Sequence, residues 1–233
     1  MQLSTSTLSS LRPTVAIALA GLAVACGGPT VGELAAQEVT LTVSGVASAP
    51  EVAAIGKPTS GLGVSRAFVS TTALRFQACD EGAADVALTP RAYELLSDPP
   101  PSESITTAVQ ELCGLRVDIG PAEQGGTDGV PQGATLYAEA TDESGASFAF
   151  TSEASSSLRF EADAAKSFGS EPLLLGIDVS TWLGGLPLDA ETSDETAERF
   201  AAQLADAAAL FVDANGNGVL DDDEREPLLQ SKP

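Results

Sequence analysis

The chain contains no histidine among its 233 residues. This absence removes the Ser-His-Asp and Cys-His mechanisms, the usual zinc hydrolase sites and the commonest proton carrier at neutral pH. Aromatic side chains are also scarce, and Trp182, Tyr93 and Tyr137 are the only tryptophan and tyrosines. Because ligand clefts usually present such rings, the candidates for a sugar-binding cleft are few. We therefore expect that the chain is not an enzyme.

Basic residues are few, since 11 lysines and arginines stand against 33 aspartates and glutamates, and the formal charge is −22. So negative a surface repels polyphosphate, and we expect no nucleic acid partner. With 33 carboxylates, some acidic pairs must lie close together in any fold. A hydrolase that works with two carboxylates therefore remains an alternative, although such an enzyme also needs a substrate cleft.

Asparagine occurs only twice, and both copies lie in residues 213–224, which read Asp-Ala-Asn-Gly-Asn-Gly-Val-Leu-Asp-Asp-Asp-Glu. This stretch fits the calcium-loop pattern D-x-[DN]-x-[DN]-G-x5-E at every specified position, with Gly218 at the sharp turn. In this pattern the oxygens of loop positions 1, 3, 5, 7, 9 and 12 bind the ion. The predicted calcium ligands are Asp213, Asn215, Asn217, the carbonyl oxygen of Val219, Asp221 and Glu224.

The residues before this loop resemble the entering helix of an EF-hand. An apolar stripe at helical spacing predicts a helix from about residue 193 to 212. The stripe consists of Phe200, Leu204, Ala208 and Phe211. Beyond the loop, Pro227 limits an exiting helix to little more than one turn.

The sequence holds a single copy of the loop, whereas EF-hand sensors usually work in pairs whose helices open together. The resemblance therefore implies a structural or environment-reading calcium site and not a cytosolic switch. Three carboxylates and two neutral amides imply a dissociation constant of about 10⁻⁵ to 10⁻³ M.

The amino terminus is typical of an exported protein. Residues 1–25 contain no acidic side chain, carry Arg12 as their only charged side chain and end in an apolar run from Val15 to Ala25. This run is too short to span a bilayer and indicates a cleaved secretory leader. Residues 22–26 read Leu-Ala-Val-Ala-Cys and resemble a bacterial lipobox. Ordinary signal peptidase would also accept Ala23-x-Ala25 and would leave Cys26 unmodified.

The lipobox resemblance implies that Cys26 carries acyl chains and that the membrane is a partner of the protein. The residue after the cysteine is Gly27 and not an aspartate. By analogy with the sorting of Gram-negative lipoproteins, we expect a lipid-anchored protein of the cell envelope, at the outer membrane.

Two further cysteines, Cys79 and Cys113, remain in the exported chain. An even number of cysteines outside the cytosol favours one disulfide. Two isolated thiols make a poor metal site, and the sequence has no Cys-x-x-Cys pair for redox catalysis.

Between residue 38 and the predicted helix, apolar residues alternate with polar ones at the two-residue spacing of half-buried strands. Residues 113–119 form the clearest such strand, and Asp142-Glu143-Ser144-Gly145 is typical of a hairpin turn. Residues 173–177 form a continuous apolar run, which is typical of a strand buried on both faces. The pattern predicts seven or eight strands in an antiparallel β-sandwich, followed by a C-terminal α-helix and the EF-hand-like loop.

The predicted organisation has four parts: a lipoprotein signal peptide (1–25), a tether (26–37), a β-sandwich domain (38–185) and a helix plus calcium loop (190–233). We expect an exported, lipid-anchored calcium-binding protein with a structural or adhesive role. The first alternative is a β-sandwich module that binds a surface glycan or a protein partner. The second alternative is the carboxylate-dependent hydrolase.

Overall fold

The computed structural model describes residues 36–46, 63–79, 82–109, 111–121, 129–142, 144–167, 171–184 and 194–232. These residues all belong to one compact unit, residues 34–233. The predicted leader, Cys26 and nearly all of the tether lie outside the described residues, and those predictions stay predictions. The predicted boundaries between sandwich and helix-plus-loop are likewise left as predictions.

Within these ranges the chain forms eleven strands and two helices. The strands are β1 (Gln37–Val46), β2 (Gly63–Ala78), β3 (Gly82–Glu94), β4 (Ser102–Thr107), β5 (Glu111–Ile119), β6 (Leu136–Thr141), β7 (Ser147–Ser152), β8 (Ser156–Ser167), β9 (Leu173–Asp178), β10 (Ala208–Val212) and β11 (Leu229–Lys232). The helices are α1 (Val179–Leu183) and α2 (Asp194–Ala207). The protein is therefore mainly β with a helix near its carboxyl end, as the sequence predicts.

All eleven strands belong to one sheet, in the order β4-β1-β9-β10-β11-β8-β5-β2-β6-β7, with β3 paired to β2. The sheet is curled, and the contacts of Leu95 show this, because Leu95 bridges two strands that are far apart in this order. Its amide donates to the carbonyl of Ala67 in β2 at 2.8 Å, and its carbonyl accepts from the amide of Gly45 in β1 at 2.7 Å. The curled sheet encloses one hydrophobic cluster that draws side chains from both of its halves.

The sheet is mixed, which differs from the all-antiparallel prediction. β1 and β9 run parallel, with Leu41 opposite Leu173 and Val46 opposite Asp178, while the other strand pairs are antiparallel. More than 100 residues separate β1 from β9 in the chain, so no local alternation pattern records their relative direction. The division into two packed sheets is not confirmed.

Strand β9 is buried along its whole length, as the continuous apolar run predicts, since each of its six residues is buried. Leu175 and Ile177 point into the enclosed cluster. Leu174 and Gly176 lie on the opposite face, because successive side chains alternate across a strand. On that second face, side chains of the neighbouring strands, Phe211 of β10 and Val46 of β1, lie against Gly176.

Both helices contribute side chains to the enclosed cluster. Trp182 of α1 is fully buried, stacks on Phe200 of α2 with ring centroids 4.7 Å apart, and donates its indole N–H to the carbonyl oxygen of Phe200 at 2.9 Å. Phe200 also lies 6.0 Å from the ring of Phe150 in β7. No helix in the described ranges has the length and apolar character needed to cross a membrane.

Helix α2 ends earlier than predicted. The helical stripe continues in the sequence to Phe211, but the chain leaves the helix at Ala207 and forms strand β10. Strand β10 pairs with β9 on the side away from β1, with Leu210 opposite Leu175. A longer helix would leave the backbone groups along that side of β9 without partners, and buried backbone groups require partners. Sheet pairing therefore overrides the helical pattern here.

The predicted disulfide is present, with Cys79 and Cys113 joined and their Cα atoms 5.0 Å apart. It links the end of β2 to the adjacent antiparallel strand β5, next to the pair Ala78 and Leu112. The predicted hairpin is also confirmed, because Asp142 closes the turn between β6 and β7 by accepting the amides of Ser144 at 2.8 Å and Ala146 at 2.9 Å.

Candidate metal centre

The predicted calcium loop connects β10 to β11, two antiparallel neighbours in the sheet. It therefore follows a strand and leads into a strand: the predicted entering helix is present but ends at Ala207, and β10 lies between it and the loop. A helix after the loop is replaced by an irregular turn and then β11, where Leu229 pairs with Leu210. Closure of the hairpin begins one residue earlier, where the amide of Leu228 donates to the carbonyl of Leu210 at 2.7 Å.

The loop is fixed to three other parts of the chain. The amide of Asp213 donates to the carbonyl of Pro172, just before β9, at 2.8 Å. Gly218 lies so close to its neighbours that an added Cβ would be 2.6 Å from Cγ of Pro100 and 3.0 Å from Cγ2 of Thr42 in β1. These contacts explain why glycine is required there in addition to its φ of 73°. Sequence reasoning missed this docking, and no pattern in the loop itself reports it.

Asp213 directs its carboxylate into the loop. One oxygen accepts the amide of Asn217 at 3.1 Å, and the other accepts the amide of Gly218 at 2.8 Å. The residue is only 1% exposed. Position 1 of the loop is therefore a buried carboxylate whose neighbours are backbone N–H groups of the same loop.

Glu224 closes the loop from its other end. Its two carboxylate oxygens accept the amides of Asn215 and Asp221, each at 3.3 Å. The residue is 8% exposed. Asn215 lies near the start of the loop and Asp221 near its end. Because Glu224 accepts hydrogen bonds from both amides, it links the first turn of the loop to the last.

The remaining predicted side-chain ligands lie between these two carboxylates. The amide nitrogens of Asn215 and Asn217 both donate to one oxygen of Asp221, at 2.7 and 3.0 Å. The amide oxygens of the same two residues accept backbone N–H groups at 2.9 and 2.7 Å. Val219 has its side chain 53% exposed, which suits a residue that is predicted to contribute only its carbonyl. The structure thus brings all five predicted ligand side chains into one hydrogen-bonded ring.

Two buried carboxylates in this ring lack a positive partner. Among the ion pairs of the described residues, none includes Asp213 or Glu224. Removing a carboxylate from water is costly unless hydrogen bonds or an opposite charge compensate it. Backbone amides supply part of that compensation here, and a hard cation would supply the rest.

The donor set fits calcium, because carboxylate, amide and carbonyl oxygens are the ligands that this ion prefers. In the geometry described, however, no group of three or more His, Cys, Asp or Glu side chains is spaced to hold a metal ion. The third carboxylate, that of Asp221, is engaged by the two asparagine amides. Binding would require the amides of Asn215 and Asn217 to turn and Asp221 to approach Asp213 and Glu224.

The rings that sequence analysis weighed as ligand platforms are all buried. Trp182 and Tyr93 are 0% exposed, and Tyr137 is 7% exposed. The two tyrosine hydroxyls donate to Glu103 and Glu139, each at 2.6 Å. Burial is the main cause, and the glutamate the second, of a raised pKa for both Tyr93 and Tyr137. These residues serve the core and offer no exposed platform to a sugar.

No protein-family model matches the chain, and no curated protein sequence matches it. Among solved structures, the fold is similar to "MbnP from Methylosinus trichosporium", with 11% sequence identity and a TM-score of 0.42 over 70% of this chain and 82% of that one.

Proposed function

We propose that the chain is an exported, lipid-anchored protein of the bacterial cell envelope that binds one calcium ion in residues 213–224 and has a structural or adhesive role without catalysis. The observation that carries the calcium proposal is the placement of Asp213 and Glu224. They are 11 residues apart, both are buried, and both face the same ring of loop residues without a cationic side chain.

In this proposal five side chains and one backbone carbonyl oxygen, that of Val219, bind the ion. The five side chains are those of Asp213, Asn215, Asn217, Asp221 and Glu224. The ion supplies positive charge that offsets the repulsion among three carboxylates. Because the loop is docked on Pro172, Pro100 and Thr42, a more rigid loop would also hold β1, β9 and the segment before β4 together.

The proposed role of the ion is therefore to make this envelope protein more rigid and more stable when calcium is bound. A ligand that binds only the folded state stabilises it by RT ln(1 + [L]/Kd), about 2.7 kcal/mol when the free ion is 100 times above Kd. The proposal also includes a two-layer β-sandwich, and the support for it is that strands from both ends of the curled sheet contribute side chains to one hydrophobic cluster.

Isothermal titration of the purified protein with calcium tests the site. We expect a single binding event for the wild type and for Asp223→Asn, which removes one exposed charge from the same loop outside the ligand positions. Glu224→Gln should abolish or strongly weaken the heat, because it neutralises the buried carboxylate at position 12. A flat trace for the wild type, or equal binding by Glu224→Gln, would remove the calcium proposal.

Mass spectrometry of the amino-terminal peptide from the producing cell tests the anchor. We expect cleavage before Cys26 and added mass from acyl chains, and loss of both from Cys26→Ser. An unmodified amino-terminal cysteine would instead support cleavage by ordinary signal peptidase.

A further inference from the structure

A cleft of about 420 Å³ lies on the face of the sheet opposite the core, beside the candidate calcium loop. Its floor crosses three strands, because Gly176 of β9 and Gln230 of β11 are both register partners of Ala209 in β10. Phe211 lies two residues beyond Ala209 and therefore shares this face. The volume is within the range of small-molecule sites.

The floor of the cleft is apolar and closely packed at one point. A Cβ added to Gly176 would lie 2.9 Å from Cε2 of Phe211 and 3.0 Å from Cγ1 of Val46. The ring of Phe211 and the side chain of Val46 therefore close over the glycine. A bulkier residue at 176 would push them into the space that a ligand would occupy.

Two walls rise from different parts of the chain. One wall consists of Leu220 of the loop and of Arg225 and Pro227 just after it, and the start of α1 and the end of α2 form the other. Leu220 directly precedes Asp221, and Arg225 directly follows Glu224. The position of the loop wall thus depends on the residues proposed to hold calcium.

The wall made by the helices is negative. Asp178 lines the cleft while it caps α1 by accepting the amides of Ser180 and Thr181 at 3.0 and 3.1 Å. Asp206 is exposed on the last turn of α2, which has no basic residue. The carboxyl end of a helix carries partial negative charge of its own. Asp206 and the end of α2 therefore make this wall negative, whereas the carboxylate of Asp178 is already occupied by the amides and hydroxyls of Ser180 and Thr181.

The opposite charge in the cleft is already engaged. Arg225 is the single basic residue among the described residues that line it, and its Nε lies 2.9 Å from a carboxylate oxygen of Asp222. Among the ion pairs of the described residues, none includes Asp206. A ligand that fits must bring a positive group to Asp206 and an apolar body to Ala209 and Phe211.

We infer that this cleft is a binding site for a small organic cation, a protonated amine that carries an apolar group. Ordering of the loop wall by calcium strengthens the binding. That calcium dependence rests on the proposed function, whereas the site itself does not.

Titration of the purified full chain with phenylethylammonium, in calcium and in chelator, tests the inference. We expect saturable binding that is tighter in calcium, and no binding of 2-phenylethanol, which has the same ring without the charge. Asp206→Asn should weaken binding roughly five- to tenfold, as expected for loss of one partly exposed charge. Ala209→Leu, which fills the floor, should abolish it.

Glu198→Gln is the matched control, because Glu198 is exposed on the same helix and does not line the cleft. It should bind like the wild type. Calcium binding with no amine binding would overturn this inference and leave the proposed function standing. Equal affinity for the amine and the alcohol would overturn the charge argument. Amine binding that is identical in calcium and in chelator would overturn the coupling.

Discussion

Two glycines of the candidate loop offer a matched test of how the loop is docked. Gly216 and Gly218 both have positive φ, 69° and 73°. A Cβ on Gly216 would meet only Cγ of Pro172, at the ordinary contact distance of 3.7 Å. A Cβ on Gly218 would meet Cγ of Pro100 at 2.6 Å and Cγ2 of Thr42 at 3.0 Å. The two alanine variants therefore share the backbone cost and differ in the steric cost.

The expected magnitudes follow from these distances. An L-residue in the left-handed region costs about 1 to 2 kcal/mol, so Gly216→Ala should lower the unfolding free energy by about that amount. Overpacking adds about 1 to 3 kcal/mol, so Gly218→Ala should lose about 2 to 5 kcal/mol in total. Neither atom that the Gly218 Cβ would meet is the end of a flexible side chain, since one belongs to a proline ring and one to a buried threonine.

Urea unfolding in the presence of a chelator measures both variants without any contribution from calcium. With a slope of about 2 kcal/mol/M, the midpoint of Gly218→Ala should lie roughly 0.5 to 1.5 M below that of Gly216→Ala. If the two midpoints coincide, the loop is not held against Pro100 and Thr42, and the coupling from the loop to β1 fails with it.

Four further outcomes are expected. Reduction of the Cys79–Cys113 disulfide, with its sequence separation of 34, should lower the unfolding free energy by about 4 kcal/mol in the chain-entropy model; an unchanged urea midpoint with reductant would contradict this. Trp182→Ala should cost about 3 to 5 kcal/mol, and Trp182→Phe distinctly less, because phenylalanine keeps one stacked ring while it loses the indole hydrogen bond and part of the buried volume; equal urea midpoints for the two variants would refute this. The Ser144 hydrogen bonds, with backbone bonds in addition, lower the pKa of Asp142, so its ionised form stabilises the hairpin above its ordinary pKa, and this contribution disappears as the pH falls through the lowered value. Asp142→Asn should therefore be less stable than the wild type at neutral pH, with a gap in melting temperature that closes in acid; a gap independent of pH would exclude this cause. Glu224→Gln should lack the rise in melting temperature that the wild type shows in calcium relative to chelator, because it lacks the charge that would bind the ion; the same calcium-dependent rise in both proteins would argue against the site.

The features that were predicted correctly are those encoded by local patterns. The apolar run 173–177 leaves no polar face, and it became a strand buried on both sides. The turn residues Asp142 to Gly145 define a hairpin through their own hydrogen bonds and a φ of 86° at Gly145. The disulfide followed from the number of cysteines in a chain that is predicted to be exported and from the lack of any better use for them.

The errors arise where distant segments meet. The sequence of 208–212 continues a helical stripe, yet β9 needs a neighbour for its backbone, and that need decides that this segment is a strand. The full burial of Trp182 under Phe200 also joins two helices whose contact the sequence does not predict. The parallel pairing of β1 with β9 likewise depends on how the sheet curls and not on either strand alone.

The candidate loop shows both kinds of information side by side. The identities and spacing of Asp213, Asn215, Asn217, Asp221 and Glu224 are properties of the chain, and they specify an oxygen-rich ring because ligand chemistry depends on residue type and short-range geometry. Tertiary structure alone decides three other features of the loop. They are the strands that flank it directly, the burial of Asp213 and Glu224, and the close contact of Gly218 with Pro100. The contacts of Gly218 with Pro100 and Thr42 join segments more than 100 residues apart, and packing at that distance leaves no periodic trace in the sequence.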